Sequence, residues 1–136
     1  MSCELCDTPG GEVLWQDALC RVVLVDMPDY PGFCRIILNR HVAEMTDLPD
    51  AERNRLMHVV FAVEAALRRL MRPDKINLAS LGNVVPHVHW HVIPRFADDA
   101  HFPQPVWAAT VRVGIRHAAP DRAMLCAALA EALPPA

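Results

Sequence analysis

The apolar residues of this chain fall into several short runs, one long stripe with helical spacing, and a weaker stripe near the end. Residues 12–16 and 21–26 read as an antiparallel hairpin turning near Asp17 and Ala18. The run Val22, Val23, Leu24, Val25 suits a strand covered on both faces. A third strand is expected over 33–38. A fourth is expected over 75–81, with Ile76, Leu78 and Ser80 on one face and Lys75, Asn77, Ala79 and Leu81 on the other. Between them, 49–71 predicts the one long helix, because Leu56, Val60, Val63, Leu67 and Leu70 form a single stripe. Asp50 and Glu52 at its start and Arg68, Arg69 and Arg72 at its end suit the helix dipole, and Pro73 stops it. Nothing at i±4 pairs with His58, so it reads as a helix-face residue. Further on, 110–114 suggests a short strand. Residues 121–133 suggest a packing helix capped by Asp121, with Met124, Leu125, Leu129 and Leu133 as its apolar positions.

The most informative stretch is His87-Val88-His89-Trp90-His91-Val92-Ile93. Its strict alternation, its β-branched residues and the flanking Pro86 and Pro94 favour a strand over a helix. On a strand, Val88, Trp90 and Val92 bury on one face. The three histidines then stand in a row on the other, about 7 Å apart from neighbour to neighbour. Neighbouring imidazoles repel when charged, so at least one is expected to be neutral. Two chemistries suit such a row. Neutral imidazole is a common zinc ligand, and one imidazole can attack phosphorus while its neighbours manage charge and protons.

Composition narrows the partners. A chain of 136 residues with 53% hydrophobic content forms one domain with an ample core. A net charge of -3 argues against a nucleic-acid-coating surface. No run approaches the roughly 18 apolar residues of a membrane span. The N-terminal residues lack the basic and apolar regions of a signal peptide, so the chain is expected in the cytoplasm with reduced cysteines. Cys20, Cys34 and Cys126 read as small core residues. Cys3-x-x-Cys6 has zinc-knuckle spacing but needs two further ligands; otherwise it is a pair of ordinary thiols.

The stretch from His87 to Ile93, followed by Pro94-Arg95, resembles the signature of the histidine triad (HIT) hydrolases and transferases, H-φ-H-φ-H-φ-φ with φ apolar. The resemblance extends more loosely from Cys3 to about Trp107, and it implies a single domain over 1–136 with its core at about 3–107. It implies an α+β fold: an antiparallel sheet of about five strands, one long helix and, from the chain's own pattern, a C-terminal helix, paired into a homodimer. It implies a phosphoric-anhydride or phosphoramidate hydrolase of nucleotides, of the diadenosine polyphosphate hydrolase or nucleoside phosphoramidase type. The middle histidine, His89, would be the nucleophile of a covalent nucleotidyl-histidine. His91 would assist the leaving group, and His87 would orient the site. No cofactor would be needed for the chemical step.

Other positions follow from the same resemblance. Asp26 would meet the ribose and Met27 the base, although Asp26 also suits a loop-capping turn residue. Asn77 matches a position near the phosphates. Asn83 is the only polar side chain in the short 82–86 loop, which lacks the Ser or Gln of longer family loops. Some bacterial members hold a structural zinc at positions matching Cys3, Cys6, His41 and His87, so a structural zinc is possible here. Many members have a histidine just after the loop glycine; here Gly32 is followed by Phe33. Arg35 then stands as either a phosphate fork or a snorkelling surface arginine. His101 and Trp107 fall in a segment that borders the active site or the dimer partner in relatives. The alternative function is a zinc-binding or nucleotide-sensing module without turnover.

Overall fold

The computed structural model describes residues 2–135. Five strands form one antiparallel sheet: β1 (Glu12–Gln16), β2 (Cys20–Leu24), β3 (Cys34–Leu38), β4 (Lys75–Ala79) and β5 (His89–Arg95), in the order β1-β2-β3-β5-β4. Three α-helices accompany them among the described residues, the single turn α1 (Glu4–Asp7), the long α2 (Asp50–Met71) and α3 (Arg122–Ala132), with a 3-10 turn over Met45–Asp47. This is the expected α+β architecture, with β4 and β1 as the open edges.

Local chemistry sets the elements. The β1–β2 turn is built by Asp17, whose Oδ1 accepts from the amides of Leu19 and Cys20 at 2.9 Å each. Helix α2 starts after Pro49 and ends at Arg72, which takes a left-handed conformation (φ 50°) just before Pro73. Asp121 caps α3 by accepting from the Met124 amide at 2.9 Å.

The core lies between the sheet and α2 with α3. Leu56, Val60, Val63 and Leu67 of α2 are fully buried against Val22, Ile36 and Val92. Each such side chain contributes about 1.5–3 kcal/mol of burial. The other face of the sheet is also covered. Leu5 of α1 packs on Val23 and Ile37, and Arg21 straps that segment down through the carbonyls of Leu5 (2.6 Å), Pro9 (2.8 Å) and Thr8 (3.2 Å). Towards β5, Tyr30, Phe33, Ile93 and Val106 form a second cluster on that face.

Four expectations need correction. Residues 110–114 form no strand. Their amides bond to a neighbouring loop instead, Val111 to the Ala100 carbonyl at 2.8 Å and Arg112 to the same carbonyl at 3.3 Å, and just beyond them Ile115 bonds to that of Asp98 at 2.9 Å. Met124 is exposed rather than packed, because the buried positions of α3 are Leu125, Ala128 and Leu129. Cys126 is only partly buried. The triad strand begins at His89, and His87 lies in a bend before it.

Candidate active site and metal cluster

The ladder between β3 and β5 pairs Ile37 with His89 and Arg35 with His91, and β4 pairs Ala79 with His91. His89 and His91 therefore project from the middle of the sheet, on the face away from α2. Their rings lie 5.0 Å apart at 81°. Ser80, just past β4, anchors the strand start by donating to the His89 carbonyl at 2.7 Å.

The two rings differ in what holds them. His89 Nδ1 lies 2.6 Å from the His87 carbonyl. A carbonyl only accepts, so Nδ1 carries a proton, and in the neutral ring it is Nε2 that keeps the lone pair. His91 Nδ1 is buried without a partner. Its ring sits edge-on between Phe33 (5.6 Å) and Trp107 (5.0 Å). Burial, then the neighbouring His89 and Arg35 charges, push its pKa down to about 4, so it is neutral at pH 7.

The expected row of three is thus a pair and a separate third. His87 turns its Nδ1 towards Cys3 Sγ and Cys6 Sγ, at 3.5 Å each, and towards His41 Nδ1 at 3.3 Å. Cys6 Sγ is also 3.5 Å from His41 Nδ1. All four ligand atoms lie within 4.8 Å of one another. His87 Nε2 donates to the Leu38 carbonyl at 2.6 Å, which leaves the Nδ1 lone pair facing the cluster. Burial also pushes the His87 pKa below its ordinary value and so favours the neutral ring. The donor set fits a tetrahedral zinc. Bonds of about 2.0–2.1 Å to nitrogen and 2.3 Å to sulfur give edges of about 3.3–3.4 Å between nitrogens and 3.5–3.6 Å between nitrogen and sulfur.

The remaining sequence-derived positions are more dispersed. Met27 packs on the cluster that contains Phe33, which touches His91. Asp26 beside it is exposed and takes no hydrogen bond from any described residue. Asn77 shares the histidine face of β4, and its Oδ1 accepts from Arg95 Nη1 at 2.7 Å. Asn83 is exposed in its loop, with no recorded contact to either histidine.

Sequence reasoning missed the device that holds Trp107 in place. Arg95 is 2% exposed and grips Asp99 with Nε (2.8 Å) and Nη2 (3.1 Å), while Nη2 also donates to the Gln104 carbonyl at 2.7 Å. Asp99 further accepts from the amides of His101 (2.9 Å) and Phe102 (2.7 Å). The loop leading to Trp107 is wound around this pair. Pro94-Arg95 belonged to the recognised stretch, but Asp99 lies in an irregular segment where no periodicity marks it.

Burial would raise the Asp99 carboxyl, but the Arg95 fork and the two amides outweigh it and hold its pKa at about 2. Its contribution to stability is therefore present above the unfolded carboxyl value and lost as pH falls towards 2. At neutral pH, Asp99→Asn should cost about 3–5 kcal/mol by leaving Arg95 buried and unpaired. Melting temperatures should show that gap from wild type narrowing between pH 4 and pH 2, following the Asp99 pKa of about 2. A gap independent of pH would refute this account.

Comparison with known proteins came to the same region. Residues 10–98 match the HIT domain. The chain is 31% identical over 98 residues to the AP-4-A phosphorylase of Mycobacterium tuberculosis, an alignment covering 68% of this chain and 50% of that protein. It is 29% identical over 95 residues to the asymmetrical bis(5'-nucleosyl)-tetraphosphatase of Schizosaccharomyces pombe, covering 66% and 52% respectively. The chain thus spans about half the length of the curated relatives it matches. Among solved structures, a histidine triad protein from Bradyrhizobium japonicum aligns over 92% of both chains with a TM-score of 0.71 and 29% identity. One from Sinorhizobium meliloti aligns over 98% of this chain and 96% of that one, with a TM-score of 0.73 and 26% identity.

Proposed function

The chain belongs to the HIT domain family, and on that footing we propose that it cleaves a phosphoric-anhydride or phosphoramidate bond of a nucleotide through a covalent intermediate on His89. The observation that carries this is the 2.6 Å contact between His89 Nδ1 and the His87 carbonyl. It fixes the tautomer and leaves Nε2 as a nucleophile beside a neutral second imidazole. Two relatives named for diadenosine tetraphosphate or bis-nucleosyl tetraphosphate chemistry support the substrate class.

In the first step His89 Nε2 attacks phosphorus, a nitrogen–phosphorus bond forms, and the bond to the leaving group breaks. The leaving group takes a proton from solvent, which the attacking water gives back in the second step, with His91 contacting the phosphoryl group. Water then attacks the same phosphorus, the nitrogen–phosphorus bond breaks, and a nucleoside monophosphate departs with His89 restored. Backbone amides near the motif add charge stabilisation. Asp26 would receive the ribose, Met27 the base, and Asn77, through its free Nδ2, a phosphate oxygen. Asn83 would meet the leaving group. The chemical step needs no cofactor.

Cys3, Cys6, His41 and His87 would hold a structural zinc, which ties the N-terminal segment to the sheet when bound. The alternative of a metal-binding or nucleotide-sensing module without turnover loses force because the cluster engages His87 and leaves His89 and His91 outside it. We also propose a homodimer. The open edge strand β4, with exposed Leu81 (53%) and Trp107 (48%), supports it. Sedimentation velocity at the monomer mass would exclude it. The cytoplasm remains the proposed location, and no helix among the described residues is long and apolar enough to cross a membrane.

The test of the reaction is direct. Adenosine phosphoramidate, dinucleoside polyphosphates and a nucleotidyl sulfate are assayed with one preparation. Turnover is then quenched at alkaline pH, where a nitrogen–phosphorus bond survives. Intact mass should gain one nucleotide, and peptide mapping should place it within residues 87–95. No turnover on any member of the panel would favour the sensing module. Turnover with the adduct on another residue would remove His89 from this role.

A further inference from the structure

Arg35 is the arginine of the sheet whose charge nothing in the fold answers. Arg40, Arg55, Arg95, Arg116 and Arg122 each pair with a carboxylate. Arg21 has no acid, but its guanidinium is taken up by three carbonyls and the Asn39 amide oxygen. Arg35 has neither arrangement. Its Nε is buried without a partner, and its recorded hydrogen bond is a long one, Nη1 to the Gly10 carbonyl at 3.4 Å. It makes no ion pair among the described residues. A half-buried guanidinium in that state is costly unless an anion completes it.

Its position says where the anion would sit. Arg35 is the direct cross-strand partner of His91, so their side chains rise from the same face with Cβ atoms about 4.5–5.5 Å apart. The His91 ring is in turn 5.0 Å from that of His89. The ladders place His91 and Val23 directly across from Arg35 on this face, Phe33 and Ile37 flank it along the chain, His89 lies beyond His91, and the Gly10 carbonyl is 3.4 Å away. None of them is an acid. A guanidinium presents a planar fork of N–H donors that matches two oxygens of one phosphoryl group.

We propose that Arg35 is a substrate-binding residue that donates from Nε and Nη to the phosphoryl oxygens of the nucleotide held at His89 and His91. This rests on the reaction proposed above and names a residue that binds its substrate.

The experiment compares binding of adenosine monophosphate, adenosine and inorganic phosphate to the full chain by calorimetry, in wild type, Arg35→Gln and Arg35→Lys. The arginine Nε–H resonances of the wild type are followed in parallel. Losing a charge-assisted pair should weaken monophosphate binding by about 10–100-fold in Arg35→Gln, leave adenosine binding unchanged, and be partly recovered in Arg35→Lys. The Arg35 Nε–H resonance should move on adding monophosphate. Because that readout is taken on the wild type, it does not depend on either variant folding. Equal loss for adenosine and its monophosphate, or no loss for either, overturns the assignment while leaving the nucleotide reaction standing. If nucleotides fail to bind the wild type but inorganic phosphate still moves the Arg35 resonance, the reaction fails and the anion site stands. A resonance that neither anion moves overturns the proposal.

Discussion

His89→Ala should lower turnover on the best substrate by on the order of 10³-fold or more, because removing a nucleophile removes the pathway rather than one of its contacts. His89→Gly should do the same, and neither variant should accumulate the nucleotide adduct. The fold should persist. The His89 ring makes its recorded hydrogen bond to the backbone carbonyl of His87, worth roughly 1 kcal/mol, and it stands outside the metal cluster. Circular dichroism and melting of the variant should therefore stay close to wild type. His91→Ala separates the two rings. If His91 assists the second step, the adduct should build up in that variant while steady-state turnover falls. Turnover of His89→Ala within about tenfold of wild type would sink the nucleophile assignment. The pair can be told apart beforehand only because their environments differ. One ring has its proton placed by a carbonyl, and the other has a buried Nδ1 with no partner.

Much of this was legible in the chain because it rested on short-range patterns. The alternation around His89 and His91, the α2 stripe and the Asp121 cap all express periodicities that the backbone imposes. What periodicity alone does not carry are features decided by distant partners. His87 fits the alternation, yet its ring faces Cys3, Cys6 and His41, residues 84, 81 and 46 positions away. Spacing along one strand carries no trace of them; the family resemblance is what names that set. Residues 110–114 have strand composition, but Arg112 donates to the carbonyls of Asp99 and Phe102 at 2.7 Å each and holds the segment on a loop instead of the sheet. Val113 is left 99% exposed. Arg35 reads from its spacing first as a snorkelling surface arginine and only second as a phosphate fork, because only the ladder reveals that it faces His91. Asp99 carried no signal, since its importance comes from a buried guanidinium and a loop wound around it.

Protein purified without chelator should carry about one zinc per chain, and Cys3→Ser/Cys6→Ser should carry none. Elemental analysis decides both halves. Zinc absent from the wild type, or retained by the double variant, would end the idea. The energetic consequence should be large. Structural zinc sites bind with apparent free energies of about 10–16 kcal/mol in zinc-finger peptides, and whatever part of this the folded chain alone enjoys becomes stability. Here the metal would join α1 to the end of β3 and the start of β5, so chelation should lower the melting temperature by on the order of 10 °C or more. The chemistry should suffer less. The His87 carbonyl that orients His89 is held independently of any metal, because the His87 amide donates to the Val85 carbonyl at 2.8 Å and its Nε2 donates to that of Leu38 at 2.6 Å. Below the melting transition, then, the metal-free protein should keep turnover within about tenfold of the loaded one, far above His89→Ala. A metal-free chain that stays folded but turns over as poorly as His89→Ala would mean that the cluster, and not the backbone around His87, is what orients the nucleophile.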